Sequence, residues 1–167
     1  LFSAWSDASR GLPLAAEVIQ GSLCFDFHWW PELSQGAKGY LKIADFIKAK
    51  PSIGSDICSI KDSAAGNCPN GRTSDKVANT IQMAGQSALE KMASIAYGGN
   101  PELEVNIKSI YAQAYLSLYY AEKIRGATAK AANRNADAKI ALGKADSHWK
   151  KYVNIMDGMF TGAEMLR

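Results

Sequence analysis

The chain has 167 residues, of which 47% are hydrophobic, and this is enough for a single domain with a buried core. The formal net charge of +3 is too small, and its charges too interspersed, to favour a nucleic-acid partner. No stretch approaches the roughly 20 apolar residues that a membrane-spanning helix needs. Because the first residue is Leu1 rather than methionine, we expect a mature product or a domain excised from a larger protein.

The first part of the chain predicts short helices and then a loop. Residues 3–10 and 13–20 have helical character and are interrupted at Gly11, and residues 40–49 predict a third short helix. Residues 51–72 contain Gly, Ser, Pro and Asn with little periodicity, and we predict a long loop there.

Three longer segments follow in which apolar residues recur as on one face of a helix. We predict long helices near 73–97, 101–132 and 136–156, with N-caps at Thr73 and Asn100. Gly98-Gly99 and Asp157-Gly158 are the expected stops of the first and third. The residues predicted to face the core are Val77, Ile81, Ala84, Ala88, Met92, Ile95, Leu103, Ile107, Ile110, Ala114, Leu118, Ala121, Ile124, Ala138, Ala141, Leu142, Ala145, Trp149, Tyr152 and Met156.

Short connections between long helices favour antiparallel neighbours. The sequence therefore predicts an all-α fold over residues 1–167, a helical bundle of three long helices with shorter N-terminal helices.

The three cysteines are unevenly placed. Cys58 and Cys68 flank a polar loop, and a disulfide between them would contribute about 2–3 kcal/mol. Two free thiols are the alternative. Cys24 lies in an apolar run and is interpreted as a small buried hydrophobe.

The densest group of chemically useful side chains lies in residues 25–32. Indole rings stack on the apolar faces of sugars, and carboxylates accept hydrogen bonds from sugar hydroxyls, so this composition suits a carbohydrate site. The alternative is a structural one, because alternating aromatic residues also form cores. The candidate ligand-binding residues in the segment are Asp26, His28, Trp29, Trp30 and Glu32.

A second candidate site lies on the second long helix. Glu122 and Arg125 are three residues apart and share a face, and Tyr119 lies one turn earlier. These three residues could bind a polar ligand, and an ion pair that only stabilises the bundle is the favoured alternative. Trp149 and Tyr152 are expected in the core.

Several kinds of site are not supported by the sequence. Neither histidine has a Glu three residues before it, as a di-iron bundle requires, and the cysteines do not match a zinc or haem pattern. Phosphate-binding loops and nucleophile elbows are absent. Asp26 and Glu32 as a glycosidase pair have no support without a cleft-forming scaffold. The sequence therefore assigns no metal, no cofactor and no catalytic residue.

Several segments recur in an order that resembles a known group of proteins. They are residues 26–32, 45–47, 59–60, 73–78, 119–127 and 148–152. In this order the chain resembles, from about Trp5 to Phe160, the C-terminal helical region of large exported bacterial proteins related to glycoside hydrolases, often from polysaccharide-degrading Bacteroidetes. The chain departs from that pattern at residues 161–167, where it stops before any further domain.

The resemblance implies a role in glycan processing without catalysis by this chain. It places the catalytic domain elsewhere in the parent protein, which would be a glycoside hydrolase, and makes that domain and a poly- or oligosaccharide the expected partners. It also implies a periplasmic or extracellular location. The alternative is a purely structural or protein-interaction bundle without a ligand, and an independent small enzyme is the least favoured interpretation.

Overall fold

The computed structural model of the chain describes residues 1–19, 42–95 and 99–160. These residues contain seven helices: α1 (Phe2–Ala8), α2 (Gly11–Ile19), α3 (Ile43–Lys48), α4 (Ile60–Ala64), α5 (Ser74–Met92), α6 (Pro101–Ala131) and α7 (Asn135–Phe160). The predicted all-α bundle of three long helices preceded by shorter ones is confirmed. Among the described helices, none has the length and apolarity needed to span a membrane.

The two predicted N-caps are confirmed. The Thr73 hydroxyl oxygen accepts a hydrogen bond from the backbone N–H of Lys76 at 3.3 Å, and the Asn100 side-chain oxygen accepts one from Leu103 at 3.1 Å. Each cap satisfies an N–H that the first turn of a helix leaves without a partner. Pro101 then occupies the first helical position of α6, where its missing N–H costs nothing.

Two helix ends were wrongly predicted. Helix α5 ends at Met92 rather than near residue 97, because its bonding pattern gives way to shorter-range bonds such as that from the Ile95 N–H to the Met92 carbonyl at 3.1 Å. Helix α7 passes through Asp157 and Gly158 and continues to Phe160. A single glycine costs a helix only about 1 kcal/mol, which is too little to end it.

Residues 51–72 are not a continuous loop. Helix α4 lies within them, begun by Ser59, whose hydroxyl accepts a hydrogen bond from the Asp62 N–H at 3.0 Å. Ile57 and Ile60 are both buried in the core. The periodicity was missed because a helix of five residues supplies only one or two core positions, too few to show a pattern.

The chain on either side of α4 is joined at several points. Cys58 and Cys68 form a disulfide, and the Arg72 guanidinium donates to both carboxylate oxygens of Asp56 at 2.6–2.9 Å. A side chain at Gly71 would come within 2.6 Å of the Cys58 sulfur, so the close approach here requires a glycine. These contacts order a segment that has few apolar residues of its own.

A tight turn joins α6 to α7. Asn133 has a left-handed φ of 58°, and its N–H bonds to the Lys130 carbonyl while that of Arg134 bonds to the Ala129 carbonyl. This is the usual way in which a helix end satisfies its last carbonyls before the chain reverses. The two helices then pack closely, since a side chain at Gly126 would come within 2.6 Å of Leu142.

Within residues 1–19, 42–95 and 99–160, buried apolar side chains form two clusters, and α6 contributes to both. We call the larger one the main core: Ala15, Val18, Ile19, Phe46, Ala49, Ile57, Ile60, Val77, Ala78, Ile81, Leu116, Tyr120, Ala121, Ile124 and Ala127. We call the smaller one the α1 core: Ala4, Ala8, Ala88, Met92, Ile107, Ile110 and Ala114.

Most of the predicted core positions are buried, but part of the α7 stripe is not. Ala138, Ala141 and Ala145 are buried, whereas Trp149 and Tyr152 are only partly buried and pack against the main core from its edge. Among the described helices α7 packs chiefly on α6, so its small residues lie in the contact and its large ones lie beside it. This partial exposure makes the α6–α7 surface the candidate functional region.

Candidate functional site

The first predicted site is the segment of residues 25–32. Asp26, His28, Trp29, Trp30 and Glu32 all lie outside the described residues, as does Cys24. Their proposed role in carbohydrate binding therefore stays a prediction from the sequence.

The second predicted site contains the ion pair that was the favoured alternative. An Arg125 guanidinium N–H donates to Glu122 Oε1 at 2.6 Å, and Glu122 is only 5% exposed. The same guanidinium donates to the side-chain oxygens of Asn79 at 2.6 Å and Gln82 at 2.5 Å. Arg125 thus neutralises a buried carboxylate and ties α6 to α5, so this pair has a clear structural task. Its role in ligand binding stays a prediction.

Tyr119, the third residue of that group, belongs to a different arrangement. Five partly buried rings lie along the seam between α6 and α7, and we call them the aromatic ribbon: Tyr115, Tyr119, His148, Trp149 and Tyr152. The ring centres of Tyr119 and Trp149 are 5.1 Å apart, those of Trp149 and Tyr152 are 5.2 Å apart, and Tyr115 stacks on His148 at 6.3 Å. These separations are typical of rings in favourable contact.

The ribbon follows from helix periodicity and from the turn. Tyr115 and Tyr119 are one turn apart on α6, and His148 and Tyr152 are one turn apart on α7. Because the turn at Asn133 is short, residues at similar distances before and after it lie opposite each other in the antiparallel pair. The aromatic residues of α6 and those of α7 therefore lie at the same level of the bundle and contact each other.

A buried lysine lies at one end of the ribbon. Lys123 is 6% exposed, and its Nζ donates a hydrogen bond to the Tyr119 hydroxyl at 2.8 Å. The same Nζ is 4.5 Å from the centre of the Phe46 ring and 5.1 Å from that of Tyr119, within the range of cation–π attraction. This positive charge fixes the Tyr119 ring and links the ribbon to α3.

Burial also changes the acid–base behaviour of two ribbon residues. Burial chiefly, and then the positive charges of Lys151 and Lys144, lower the pKa of His148 below its ordinary value, while the Glu122 charge acts in the opposite direction. Burial raises the pKa of Tyr152. Both shifts favour the neutral forms of His148 and Tyr152.

The ribbon has the chemistry of a stacking surface. Each of the five rings is partly buried, and aromatic rings that carry phenol, indole and imidazole groups are typical of sites that bind amphipathic ligands. Nowhere in residues 1–19, 42–95 and 99–160 do three His, Cys, Asp or Glu side chains group as a metal site would require.

Sequence reasoning placed only Tyr119 of this ribbon among the candidate site residues. Trp149 and Tyr152 were predicted to be core residues, but they lie at its edge, since α7 is covered mainly on its α6 side among the described elements. The sequence does show aromatic residues one turn apart on each of the two helices of a predicted helical hairpin. To predict that these residues meet, the exact position of the turn between the helices had to be known.

A separate open groove of about 710 Å³ lies between the end of α3 and α4. Lys48, Lys50 and Lys61 line it together with Asp62 and the bridged Cys58. Of the candidate residues from the sequence that lie within the described part of the chain, only Cys58 lines this groove, where its disulfide joins two parts of the chain.

The chain was compared with protein families, curated proteins and solved structures. No protein-family model, no curated protein and no solved structure matches the chain.

Proposed function

We propose that this chain is a non-catalytic helical accessory domain of a secreted glycan-processing protein, and that it binds carbohydrate on the aromatic ribbon. The observation that carries the proposal is the partial exposure of Tyr119, Trp149 and Tyr152 in a continuous row. The order of segments that resembles glycoside-hydrolase-related proteins supports the glycan as ligand. The Cys58–Cys68 disulfide suits an oxidising periplasmic or extracellular location.

The proposed mode of binding is stacking. A sugar ring has a face of C–H groups that packs on an aromatic ring, while its hydroxyls need hydrogen-bond partners at the rim. Trp149 offers the largest face, and the Tyr152 hydroxyl and the His148 imidazole provide polar groups beside it. The second partner is the catalytic domain of the parent protein, which this domain would pack against and to which it would bring the glycan.

One observation favours the alternative of a purely structural or protein-interaction bundle. Trp149 and Tyr152 pack against the main core, and the Glu122–Arg125 pair is fully used within the protein. Under this alternative the aromatic ribbon only closes the edge of the core. The two functions differ in whether the exposed parts of the rings bind a sugar.

Affinity electrophoresis of the full chain through gels containing soluble polysaccharides tests the proposal. The probes are xylan, galactomannan, dextran and polygalacturonate. We expect at least one polysaccharide to retard the protein, and Trp149→Ala to lose most of that retardation because the stacking face is removed. Trp5→Ala is the matched control, since Trp5 lies on α1 and is 38% exposed but is outside the ribbon.

A thermal melt of each variant separates binding from folding. If Trp149→Ala is unfolded, Tyr152→Ser replaces it as a smaller truncation of the same surface. Retardation of the wild type by none of the polysaccharides would contradict carbohydrate binding and leave the structural bundle. Release of reducing ends from any probe would contradict the non-catalytic assignment.

A further inference from the structure

Two lysines continue the aromatic ribbon along α7. Lys144, His148 and Lys151 are spaced by four and three residues, so they lie on one face of the helix, and we call them the basic stripe. The stripe adjoins Tyr115 of α6, whose ring stacks on His148 and lies 5.2 Å from the Nζ of Lys151. Positive charge and aromatic surface therefore occupy the same seam.

The carboxylates near the stripe are engaged elsewhere. Glu122 pairs with Arg125 at 2.6 Å, and Asp146 pairs with Lys150 at 2.6 Å. In the part of the chain that the structure describes, neither Lys144 nor Lys151 forms an ion pair. Both lysines are exposed, so their charges remain available to an anion.

His148 adds a polar atom that lacks a partner. Its Nδ1 is buried, and no hydrogen-bond partner for it is present in the described structure. A buried nitrogen without a hydrogen bond costs free energy, so its presence here calls for an explanation beyond packing. The groups facing His148 are Lys144 and Lys151 on its own helix and Tyr115 and Glu122 on α6.

We infer that the glycan bound by the aromatic ribbon is anionic, with its carboxylate or sulfate groups held between Lys144 and Lys151 beside His148. This inference rests on the proposed function, since it names the class of sugar that the same surface binds. The rings supply stacking area, and the stripe selects the acidic sugar over a neutral one. An anion beside His148 also favours the protonated imidazole, so binding strengthens as the pH falls.

The test compares four polymers by affinity electrophoresis with the full chain. Polygalacturonate carries carboxylates, dextran sulfate carries sulfates, dextran is the uncharged sugar, and polyglutamate is a polyanion without sugar. We expect one or both anionic glycans to bind about tenfold more tightly than dextran. Raising the salt concentration should weaken that binding. Whichever of the two binds more tightly identifies the anionic group.

Two double variants that change the net charge equally test whether Lys144 and Lys151 are the lysines that bind the anion. Lys144→Gln/Lys151→Gln should weaken binding of the anionic glycan about tenfold, whereas Lys76→Gln/Lys139→Gln, at exposed positions outside the stripe, should leave it within about twofold. Binding by the wild type should strengthen between pH 7.5 and 5.5, and His148→Gln should remove that dependence. All changes are at exposed or half-exposed positions, and a thermal melt of each variant checks that it is folded.

The other possible outcomes contradict the inference, and they also show whether the proposed function fails with it. Binding of dextran that Trp149→Ala abolishes and the stripe variant leaves unchanged would keep the proposed function and overturn the anionic glycan. Equal binding of polyglutamate and polygalacturonate would show that the stripe responds to charge alone. Binding of no glycan at all would overturn the proposed function and the inference together.

Discussion

The two ends of α6 lie in very different surroundings. Toward its N-terminus, Ile107, Ile110 and Ala114 pack into the α1 core, which consists of small and aliphatic side chains. Toward its C-terminus the same helix buries Glu122 and Lys123 and carries part of the aromatic ribbon. The N-terminal end is held by apolar packing. The C-terminal end contains buried charges, whose desolvation costs free energy that an apolar core would not lose.

The difference shows where a function can lie in a helical bundle. Burying Glu122 requires the three hydrogen bonds of Arg125 to be in place, and burying Lys123 requires two aromatic faces and the Tyr119 hydroxyl. An aliphatic core would have been simpler and at least as stable. The polar end is therefore the region to probe for ligand binding, and the α1 core serves as the structural reference.

The largest effect is expected from shortening one side chain in the α1 core and one in the aromatic ribbon. Ile110→Ala should lower the free energy of unfolding by about 2–5 kcal/mol, because Ile110 is completely buried in the α1 core. Trp149→Ala should cost about 1–3 kcal/mol, because part of its ring is already in water. Urea denaturation measures both. If Trp149→Ala were as costly as Ile110→Ala, the ribbon would be ordinary core and the comparison would fail.

Removing the cation of the buried pair should have the next largest effect. Arg125→Ala leaves the Glu122 carboxylate buried without its partner and should cost about 2–3 kcal/mol. Arg134→Ala breaks the exposed pair with Asp137 and serves as the control, with an expected cost below about 0.5 kcal/mol. Chemical denaturation of the two variants gives the difference. Equal small costs would show that the polar end tolerates an unpaired charge.

The disulfide between Cys58 and Cys68 should contribute about 2–3 kcal/mol to the free energy of unfolding. Cys58→Ser/Cys68→Ser should therefore melt at a lower temperature than the oxidised wild type, and reductant should lower the wild-type melt by a similar amount. Intact mass with and without reduction and alkylation counts the bonded cysteines directly. Two alkylatable thiols at these positions in protein kept oxidised throughout would rule the bond out.

The smallest effect is expected at Asp7, beside the α1 core. The Lys91 ammonium and the Ser87 hydroxyl donate to its carboxylate and lower the pKa of Asp7. Because the folded-state pKa lies below the unfolded value, this stabilisation is present above about pH 4 and is lost as the pH falls through the folded pKa.

Asp7→Asn tests this pH dependence. The Lys91 side chain is 42% exposed, so the variant should cost only about 0.5–1 kcal/mol at pH 7. The difference from the wild type should shrink at pH 3. Denaturation at both pH values measures it, and a cost that grew on acidification would contradict the assignment.

The sequence predicted the features that local chemistry determines. Thr73 and Asn100 bind the first turns of α5 and α6 through their own side chains, so a few neighbouring residues suffice to predict these helix starts. The end of α7 was missed because Gly158 is a weak interruption whose effect depends on the rest of the helix. Helix α4 was missed because its order comes partly from contacts with distant core residues.

The candidate site was less predictable because it depends on register. Tyr119 and Trp149 are separated by a turn whose geometry rests on the left-handed conformation of Asn133. A shift of one residue in that turn would change which α7 side chains meet α6. The sequence showed two helices with aromatic residues, and only the structure showed that these residues meet.

The attachment of α1 has a consequence for the order of folding. Helices α5, α6 and α7 pack on their neighbours in the chain, whereas Asp7 reaches Ser87 across a sequence separation of 80 residues. Contacts between neighbouring segments form faster, because less chain entropy is lost when they meet. The long helices should therefore assemble early and α1 should dock last. Substitutions in the α1 contact would then speed unfolding while leaving the refolding rate nearly unchanged.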